Sequence, residues 1–175
     1  MMEDQFGQTG GELDFEKLYR EIAPKLVNYL VANGMGQSSA WDVAQETFLR
    51  LWKRQDSLVN DMSQISGLAY TIARNLRTDG WRKAQRESLQ GEITDEDAGS
   101  VEPAPMPSDA AHLRARIAEA FAQLPLPLRE AYQMFQLMEL PIREIASRTG
   151  TTEANVKVRI FRAKAKLRIL LKDLV

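Results

Sequence analysis

Basic side chains concentrate in the last part of the chain, where they could neutralise phosphates. Between residues 143 and 173 there are nine basic and three acidic residues. Apolar residues recur there at helical spacing and predict one buried stripe, namely Val156, Ile160, Ala163, Leu167 and Leu170. The opposite side carries Lys157, Arg162, Arg168 and Lys172, with Val158 and Phe161 exposed among them. Cations hold phosphates and small apolar groups contact thymine methyls, so this face predicts binding in a DNA major groove. The alternative is a solvated face on an ordinary packed helix.

The residues before this basic helix predict a shorter helix and a tight turn. Pro141 suits the first turn of a helix, and Gly150 supplies the turn that ends it. Thr151 or Thr152 can cap the next helix, and the helix dipole favours Glu153 in its first turn. The order of helix, turn and longer basic helix is typical of helix-turn-helix DNA binding.

A second set of side chains suited to nucleic acid lies on a helix predicted from residue 63 to 86. At about 100° per residue, four of them cluster opposite the apolar stripe. They are Tyr70, Arg74, Arg77 and Trp81. Exposed rings can stack on unpaired bases while guanidinium groups hold phosphates. Packing against another helix or a protein partner is the alternative.

The helix predicted from residue 38 or 39 to 54 presents a surface of a different kind. Once its apolar residues face the core, a mixed polar and aromatic set remains on the flanking and outer faces. That set is Asp42, Gln45, Glu46, Leu49 and Trp52. A polar rim around an aromatic anchor suits a partner protein. For Trp52 the alternative is that it closes the core.

Periodicity places these surfaces on two helical modules. Helices are predicted at 13–32, 38–54 and 63–86, and then at 109–123 and 128–138 ahead of the helix-turn-helix. Pro24 should kink or break the first helix. Residues 88–108 hold five acidic residues, no basic ones, and several prolines and glycines, a composition typical of a flexible linker. We therefore predict an all-α fold with a domain at 10–87, a linker at 88–108 and a domain at 109–175.

Composition narrows the possible chemistry. The chain has no cysteine and a single histidine, so thiolate nucleophiles, disulfides and the common zinc clusters are excluded. Neither a phosphate-binding glycine loop nor a signal peptide is visible. The sequence predicts a cytoplasmic protein that is not an enzyme and holds no metal or cofactor.

Two sets of motifs resemble a known family, the extracytoplasmic function (ECF) group of bacterial RNA polymerase sigma factors. Conserved region 2 of those proteins is similar to Asp42-x-x-Gln45-Glu46-x-Phe48-x-x-x-Trp52 and to Ala69-Tyr70-x-Ile72-Ala73-Arg74-Asn75-x-x-x-Asp79-x-x-Arg82. Their region 4 is similar to Leu124-Pro125, Glu144-Ile145-Ala146 and Val156-Lys157-x-Arg159-Ile160-x-Arg162-Ala163. The resemblance covers roughly residues 13–172, and the motifs occur in the family's order.

The resemblance implies a role for each surface. Asp42, Gln45, Glu46, Leu49 and Trp52 would dock on core RNA polymerase, made of β and β′ subunits among others. The −10 promoter element would contact the loop at residues 60–64 and the set Tyr70, Arg74, Asn75, Arg77, Asp79, Trp81 and Arg82. The −35 element would contact Thr152, Lys157, Val158, Arg159, Phe161 and Arg162. An anti-sigma factor would hold the protein inactive.

Departures from the family pattern leave promoter preference undetermined. Trp41 precedes Asp42 where the family often has glutamate, and Leu68 stands where tryptophan is common. In the basic helix, Asn155 and Val158 replace a common threonine and serine. The main alternative is a two-domain helix-turn-helix regulator that binds operators without polymerase. A helical adaptor that has lost its DNA contacts is the other.

Overall fold

The computed structural model of this 175-residue chain describes residues 13–89 and 109–174. Within those ranges it contains helices and no strand, which confirms the predicted all-α fold. The α-helices are α1 (Phe15–Ala32), α2 (Gln37–Trp52), α3 (Met62–Leu89), α4 (Asp109–Ala122), α5 (Leu126–Gln136), α6 (Ile142–Thr149) and α7 (Glu153–Leu170). None of these helices is both long and apolar enough to cross a bilayer.

Helix α1 forms one continuous element, so the predicted break at Pro24 is wrong. The Asp14 side chain caps the helix by accepting a hydrogen bond from the Lys17 backbone N–H at 3.0 Å. Pro24 is exposed, and water can therefore satisfy the carbonyl that it leaves without a helical partner.

The start of α2 also differs from expectation. The helix begins at Gln37 with Gly36 as its N-cap residue, whereas the sequence predicted a start at Ser38 or Ser39. Gly34 adopts φ 88° in the preceding turn, a conformation that glycine accepts without strain. The turn geometry therefore sets where the helix begins, and both serines fall inside its first turn.

Helix α3 runs to Leu89, which is beyond the predicted start of the acidic linker at residue 88. The remainder of that linker, residues 90–108, lies outside the described residues, as do residues 10–12 of the first predicted domain. The three domain boundaries therefore remain predictions.

Helices α6 and α7 form the predicted helix-turn-helix. Gly150 ends α6 with φ 63°, and the Thr152 hydroxyl then accepts a hydrogen bond from the Asn155 backbone N–H at 3.1 Å. The stripe predicted along α7 faces inward, since Val156, Ala163 and Leu167 are buried.

Substitution of Gly150 should destabilise this turn. Because an alanine at its positive φ is strained, Gly150→Ala is expected to lower the free energy of unfolding by about 1–2 kcal/mol. Gly80→Ala provides the matched control, since a Cβ there, inside α3, meets open space. That control should stabilise the protein by up to about 1 kcal/mol through helix propensity. Urea unfolding curves measure the free energy of unfolding of both variants. If it changed in the same direction in both, the left-handed backbone assigned to Gly150 would not be what destabilises Gly150→Ala.

Two apolar clusters hold the helices together. The larger contains buried residues of α1, α2 and α3 together with residues of α5, α6 and α7, including Leu26, Leu51, Met134, Ile145 and Val156. The smaller lies between α4 and α7, around Phe121, Leu124 and Leu167. Helices from both ends of the chain thus share one core, with α5–α7 packed on α1–α3.

Candidate nucleic-acid and protein interfaces

The outer face of α2 is accessible, as the sequence predicted. Leu49 and Trp52 are 55% and 52% exposed, respectively, so Trp52 does not close the core. Asp42 and Gln45 are also exposed, and Glu46 is half-buried beside Arg50, its ion-pair partner at 2.8 Å. An apolar centre is therefore bordered by polar groups, which is the composition of a protein-binding surface.

Helix α1 contributes two aromatic residues to this surface that the sequence interpretation missed. The Phe15 ring packs edge-on against Trp52 with ring centroids 5.0 Å apart, and Tyr19 does the same to Phe48 at 4.9 Å. Together with Gln45 and Leu49, these residues line an open groove of about 360 Å³. The spacing of aromatics along α1 could have indicated it, but only once α1 was known to pair with α2.

The residues of α3 predicted to contact nucleic acid differ in their exposure. Four of them towards the C-terminal end of the helix are exposed, namely Asn75, Asp79, Trp81 and Arg82. Trp81 is 65% exposed, so its ring is available for stacking on a base. Arg77 is half-buried and lines an apolar pocket of about 460 Å³ with Asn33, Met35 and Trp81.

The prediction that Tyr70 is exposed is wrong. Tyr70 is 3% exposed and belongs to the larger core cluster, with its ring centroid 4.9 Å from that of Tyr29. Burial is the main cause that raises the pKa of Tyr70 above its ordinary value, and burial likewise raises the pKa of Tyr29. The spacing alone predicted an exposed position, but Tyr70 packs on Tyr29 of α1 within the core.

Arg74, on the same half of α3, is engaged by the other module. Its Nη2 lies 2.6 Å from Oε1 of Glu130 on α5, whose side chain is 17% exposed. A guanidinium that pairs with a carboxylate in this way is suited to pair with a phosphate, because both offer acceptor oxygens in similar geometry.

The outer face of α7 is the most basic helix surface among the described residues. Lys157, Arg162 and Arg168 are exposed, Arg159 is half-buried, and Lys172 is exposed in the short 3-10 helix that follows α7. Phe161 is 72% exposed and Val158 43%, as the sequence predicted. The Thr152 hydroxyl caps α7 and is itself exposed. This face can neutralise phosphates and offers apolar groups to base edges.

No group of His, Cys, Asp and Glu side chains suited to a metal ion occurs within residues 13–89 and 109–174. The described surfaces are an apolar groove with a polar rim, an aromatic and cationic strip, and a basic helix face, and these compositions suit binding to macromolecules.

Comparison with known families decides between the possible partners. A model of Sigma-70 region 2 matches residues 18–87, and a model of Sigma-70 region 4 matches residues 114–167. The two matches together span more than half of the chain. It belongs to the sigma-70 family. Helices α1–α3 thus correspond to region 2 of the sigma factor, and α4–α7 to region 4.

Curated sigma factors of the ECF group align over most of this sigma factor. It is 31% identical over 157 residues to the ECF sigma factor SigL of Mycobacterium tuberculosis, an alignment that covers 90% of this chain and 88% of SigL. It is 28% identical over 161 residues to the ECF sigma factor RpoE of Cereibacter sphaeroides, covering 90% of this chain and 86% of that relative.

Solved sigma factor structures have the same fold. RpoE of Bartonella quintana, determined with the anti-sigma factor NepR, superposes with a TM-score of 0.62 at 25% identity, covering 91% of this chain and 97% of that one. CnrH, determined with the cytosolic domain of CnrY, gives a TM-score of 0.65 at 21% identity, covering 94% and 92%.

The family assignment establishes the activity: this sigma factor binds core RNA polymerase and directs promoter-specific initiation of transcription. The alternative of an operator-binding regulator that acts without polymerase is not supported.

Proposed function

We propose that the outer face of α2 docks on core polymerase. The contacts would come from Asp42, Gln45, Glu46, Leu49 and Trp52, with Phe15 and Tyr19 of α1 widening the same groove. The solvent exposure of two large apolar side chains supports this role: Leu49 is 55% exposed and Trp52 is 52% exposed. Such residues are stabilised by a partner that covers them, and tryptophan is enriched among the residues that dominate binding energy.

The −10 element would bind along α3 and at residues 60–64, of which 62–64 form the first turn of α3 and not the loop that was predicted. Trp81 supplies a ring for unpaired bases, and Arg74, Arg77 and Arg82 supply cations for the strand beside it. Asn75 and Asp79 present donors and acceptors on the exposed half of the helix. Holding flipped bases would offset an unstacking cost of roughly a few kcal/mol during promoter melting.

The −35 element would receive α7 in its major groove, through Thr152, Lys157, Val158, Arg159, Phe161 and Arg162. The observation that carries the proposal is the placement of α7. It follows a glycine turn as the second helix of a helix-turn-helix, with its apolar stripe buried and its cations outward. That geometry leaves the basic face free for DNA.

Run-off transcription with core polymerase on a promoter library, read by sequencing, tests the assignment as a whole. Start sites should appear only when the sigma factor is present and should share two upstream elements. Tight binding to duplex targets without polymerase, with no start-site selection, would overturn the assignment.

Gln45 and Glu46 provide a test of the docking face. Their joint replacement by alanine is expected to weaken binding to core polymerase by about 1 kcal/mol, roughly fivefold, because both lie on the polar rim. Gln85→Ala with Glu87→Ala is the matched control, since Glu87 also has an i, i+4 ion-pair partner, Lys83 at 3.9 Å. Titration of labelled protein with core polymerase measures both. Unchanged affinity in the first double variant would show that polymerase docks elsewhere.

Regulation by an anti-sigma factor is a further part of the proposal. RpoE of Bartonella quintana, 25% identical to this chain, is solved with the anti-sigma factor NepR bound. The exposed apolar groove between α1 and α2 offers a comparable partner a surface to cover. Since the partners of such a factor are polymerase and chromosomal DNA, the proposed location is the cytoplasm, and the proposed activity is binding without catalysis of its own.

A further inference from the structure

Asn155 lies in the first turn of α7, where the two threonines before it hold both its backbone and its side chain. Its backbone N–H donates to the Thr152 hydroxyl at 3.1 Å, and its side-chain Nδ2 donates to the Thr151 hydroxyl at 2.7 Å. The Thr151 backbone N–H in turn donates to the Ala146 carbonyl of α6 at 3.1 Å. Through one hydroxyl, the Asn155 amide is therefore anchored to the turn between the two helices.

Part of this anchored amide has no partner. Oδ1 accepts no hydrogen bond from the residues that the structure describes, and Nδ2 carries a second N–H besides the one that Thr151 accepts. Asn155 is exposed, so both groups are accessible to a ligand. An acceptor and a donor thus lie side by side, at a separation fixed by the planar amide.

Asn155 shares one side of α7 with two residues already assigned to the −35 element. Val158 follows it by three positions and Arg162 by seven, and at 3.6 residues per turn all three lie on the same exposed side. In a helix-turn-helix, the N-terminal residues of the second helix are the ones that contact base edges. Asn155 is the third residue of α7 and therefore lies where a base edge would be.

Adenine is the base whose major-groove edge matches the free groups of this amide. Adenine presents the N6 amino donor beside the N7 acceptor, whereas guanine presents two acceptors there and cytosine presents a donor alone. Oδ1 of Asn155 would accept from N6 while the second N–H of Nδ2 donates to N7. The hydrogen bond to Thr151 is kept in this pairing, so the anchored side chain can bind without rearrangement.

We propose that Asn155 recognises one adenine of the −35 element, and that Thr151 is the positioning residue that fixes its amide for this contact. The inference rests on the −35 role proposed for α7, and it adds a residue outside the set assigned there together with the base that this residue selects. A two-bond contact of this kind discriminates against the other bases by roughly 5- to 150-fold.

Competition for polymerase holoenzyme among promoters varied at each −35 position tests the contact. The unmodified sigma factor should prefer adenine at one position by that factor, and Asn155→Ala, which favours the helix, should abolish the preference there alone. Asn155→Asp replaces the amide donor with a second acceptor, so the preference should move to cytosine, which offers its N4 donor. Asn28→Ala, the loss of an exposed asparagine from α1, is the matched control and should change no −35 preference.

A chemical change in the DNA isolates one of the two hydrogen bonds. In 7-deazaadenine a C–H group replaces N7, so Nδ2 of Asn155 loses its acceptor while the N6 contact remains. The unmodified sigma factor should bind a promoter with this base roughly 2- to 10-fold more weakly, as expected for one hydrogen bond. Asn155→Ala should bind both promoters equally. An equal penalty in the two proteins would overturn the contact.

Thr151→Val tests the positioning role, because it removes the hydroxyl and keeps the shape of the side chain. Selectivity for adenine should fall roughly 2- to 10-fold, through the loss of one orienting hydrogen bond. Thr149→Val is the matched control, since it removes another half-buried hydroxyl, which donates to the Ile145 carbonyl at 2.7 Å, and should leave selectivity unchanged. Unchanged selectivity in Thr151→Val would overturn the positioning role.

The adenine contact and the −35 role of α7 can fail separately. Unchanged selectivity at every −35 position in Asn155→Ala, with Arg162→Ala still weakening −35 binding, would overturn the adenine contact alone. Unchanged −35 binding in both variants would overturn the role of α7 as well. If the position relaxed by Asn155→Ala preferred a base other than adenine in the unmodified protein, the proposed pairing would be wrong.

Discussion

Trp52→Ala is expected to weaken binding of the sigma factor to core polymerase by about 2 kcal/mol or more, at least roughly 30-fold. Trp52 is 52% exposed, and its ring meets Phe15 edge-on at the mouth of the α1–α2 groove. A partner that covers this ring removes a large apolar area from water, and alanine forfeits most of that gain. Equilibrium titration of dye-labelled protein with core polymerase measures the loss.

Trp81→Ala is the control for this experiment. It makes the same change at a tryptophan that is 65% exposed on α3, away from the docking groove. Core polymerase should bind this variant normally, while single-stranded DNA should bind it more weakly by about 1–3 kcal/mol through lost stacking. Equal losses of polymerase affinity in the two tryptophan variants would show that the α2 face has no special role.

Arg162→Ala is expected to weaken −35 recognition by about 1–3 kcal/mol, roughly 5- to 150-fold, and to relax selectivity at one base position. Arg162 projects from the exposed face of α7, between Val158 and the more C-terminal cations. Promoters selected by run-off sequencing are varied at each −35 position in turn and compete for polymerase holoenzyme. This competition measures the loss of affinity and the change in base selectivity at each position.

Lys166→Ala separates base recognition from simple charge in that assay. Lys166 is an exposed cation one helical turn further along α7. Its loss should weaken binding to all −35 sequences about equally, and should reduce by about one the slope of log affinity against log salt concentration. If Arg162→Ala behaved in the same way, Arg162 would be a phosphate contact and another residue would determine the −35 preference.

Local sequence was sufficient for the features that depend on one helix at a time. The spacing of Val156, Ala163 and Leu167 determined which side of α7 is buried, and the cations opposite them are exposed as predicted. Gly150 ends α6 with the positive φ expected of a helix-terminating glycine. Such features follow from the period of the helix and from backbone sterics.

Features that depend on distant residues could not be predicted. Tyr70 is buried with its ring against Tyr29 of α1, and the neighbouring Arg74 and Thr71 contact Glu130 and Arg148. Nothing in the residues flanking Tyr70 identifies these partners, which lie about 40 to 80 residues away along the chain. The groove residues Phe15 and Tyr19 were missed for the same reason, because their role appears only when α1 packs on α2.

Gly67 is a further position where the sequence held an unused signal. An isolated glycine within a predicted helix can mark the close approach of another group, although Gly80 in the same helix meets none. In this chain that group is the Arg148 guanidinium. The sequence could have indicated a contact at Gly67 but not that its source was a helix more than seventy residues later.

Under the −10 role proposed for α3, the pairing of Arg74 with Glu130 limits how promoter preference can evolve in this protein. A substitution of Arg74 that suited a new −10 sequence would also change its fit to the carboxylate of α5, so the two properties cannot drift independently. Asn75 and Asp79 lie on the exposed half of α3 and carry no such double constraint. Divergence of −10 preference among close homologues should therefore accumulate at the exposed positions first, with Arg74 and Glu130 changing together or not at all.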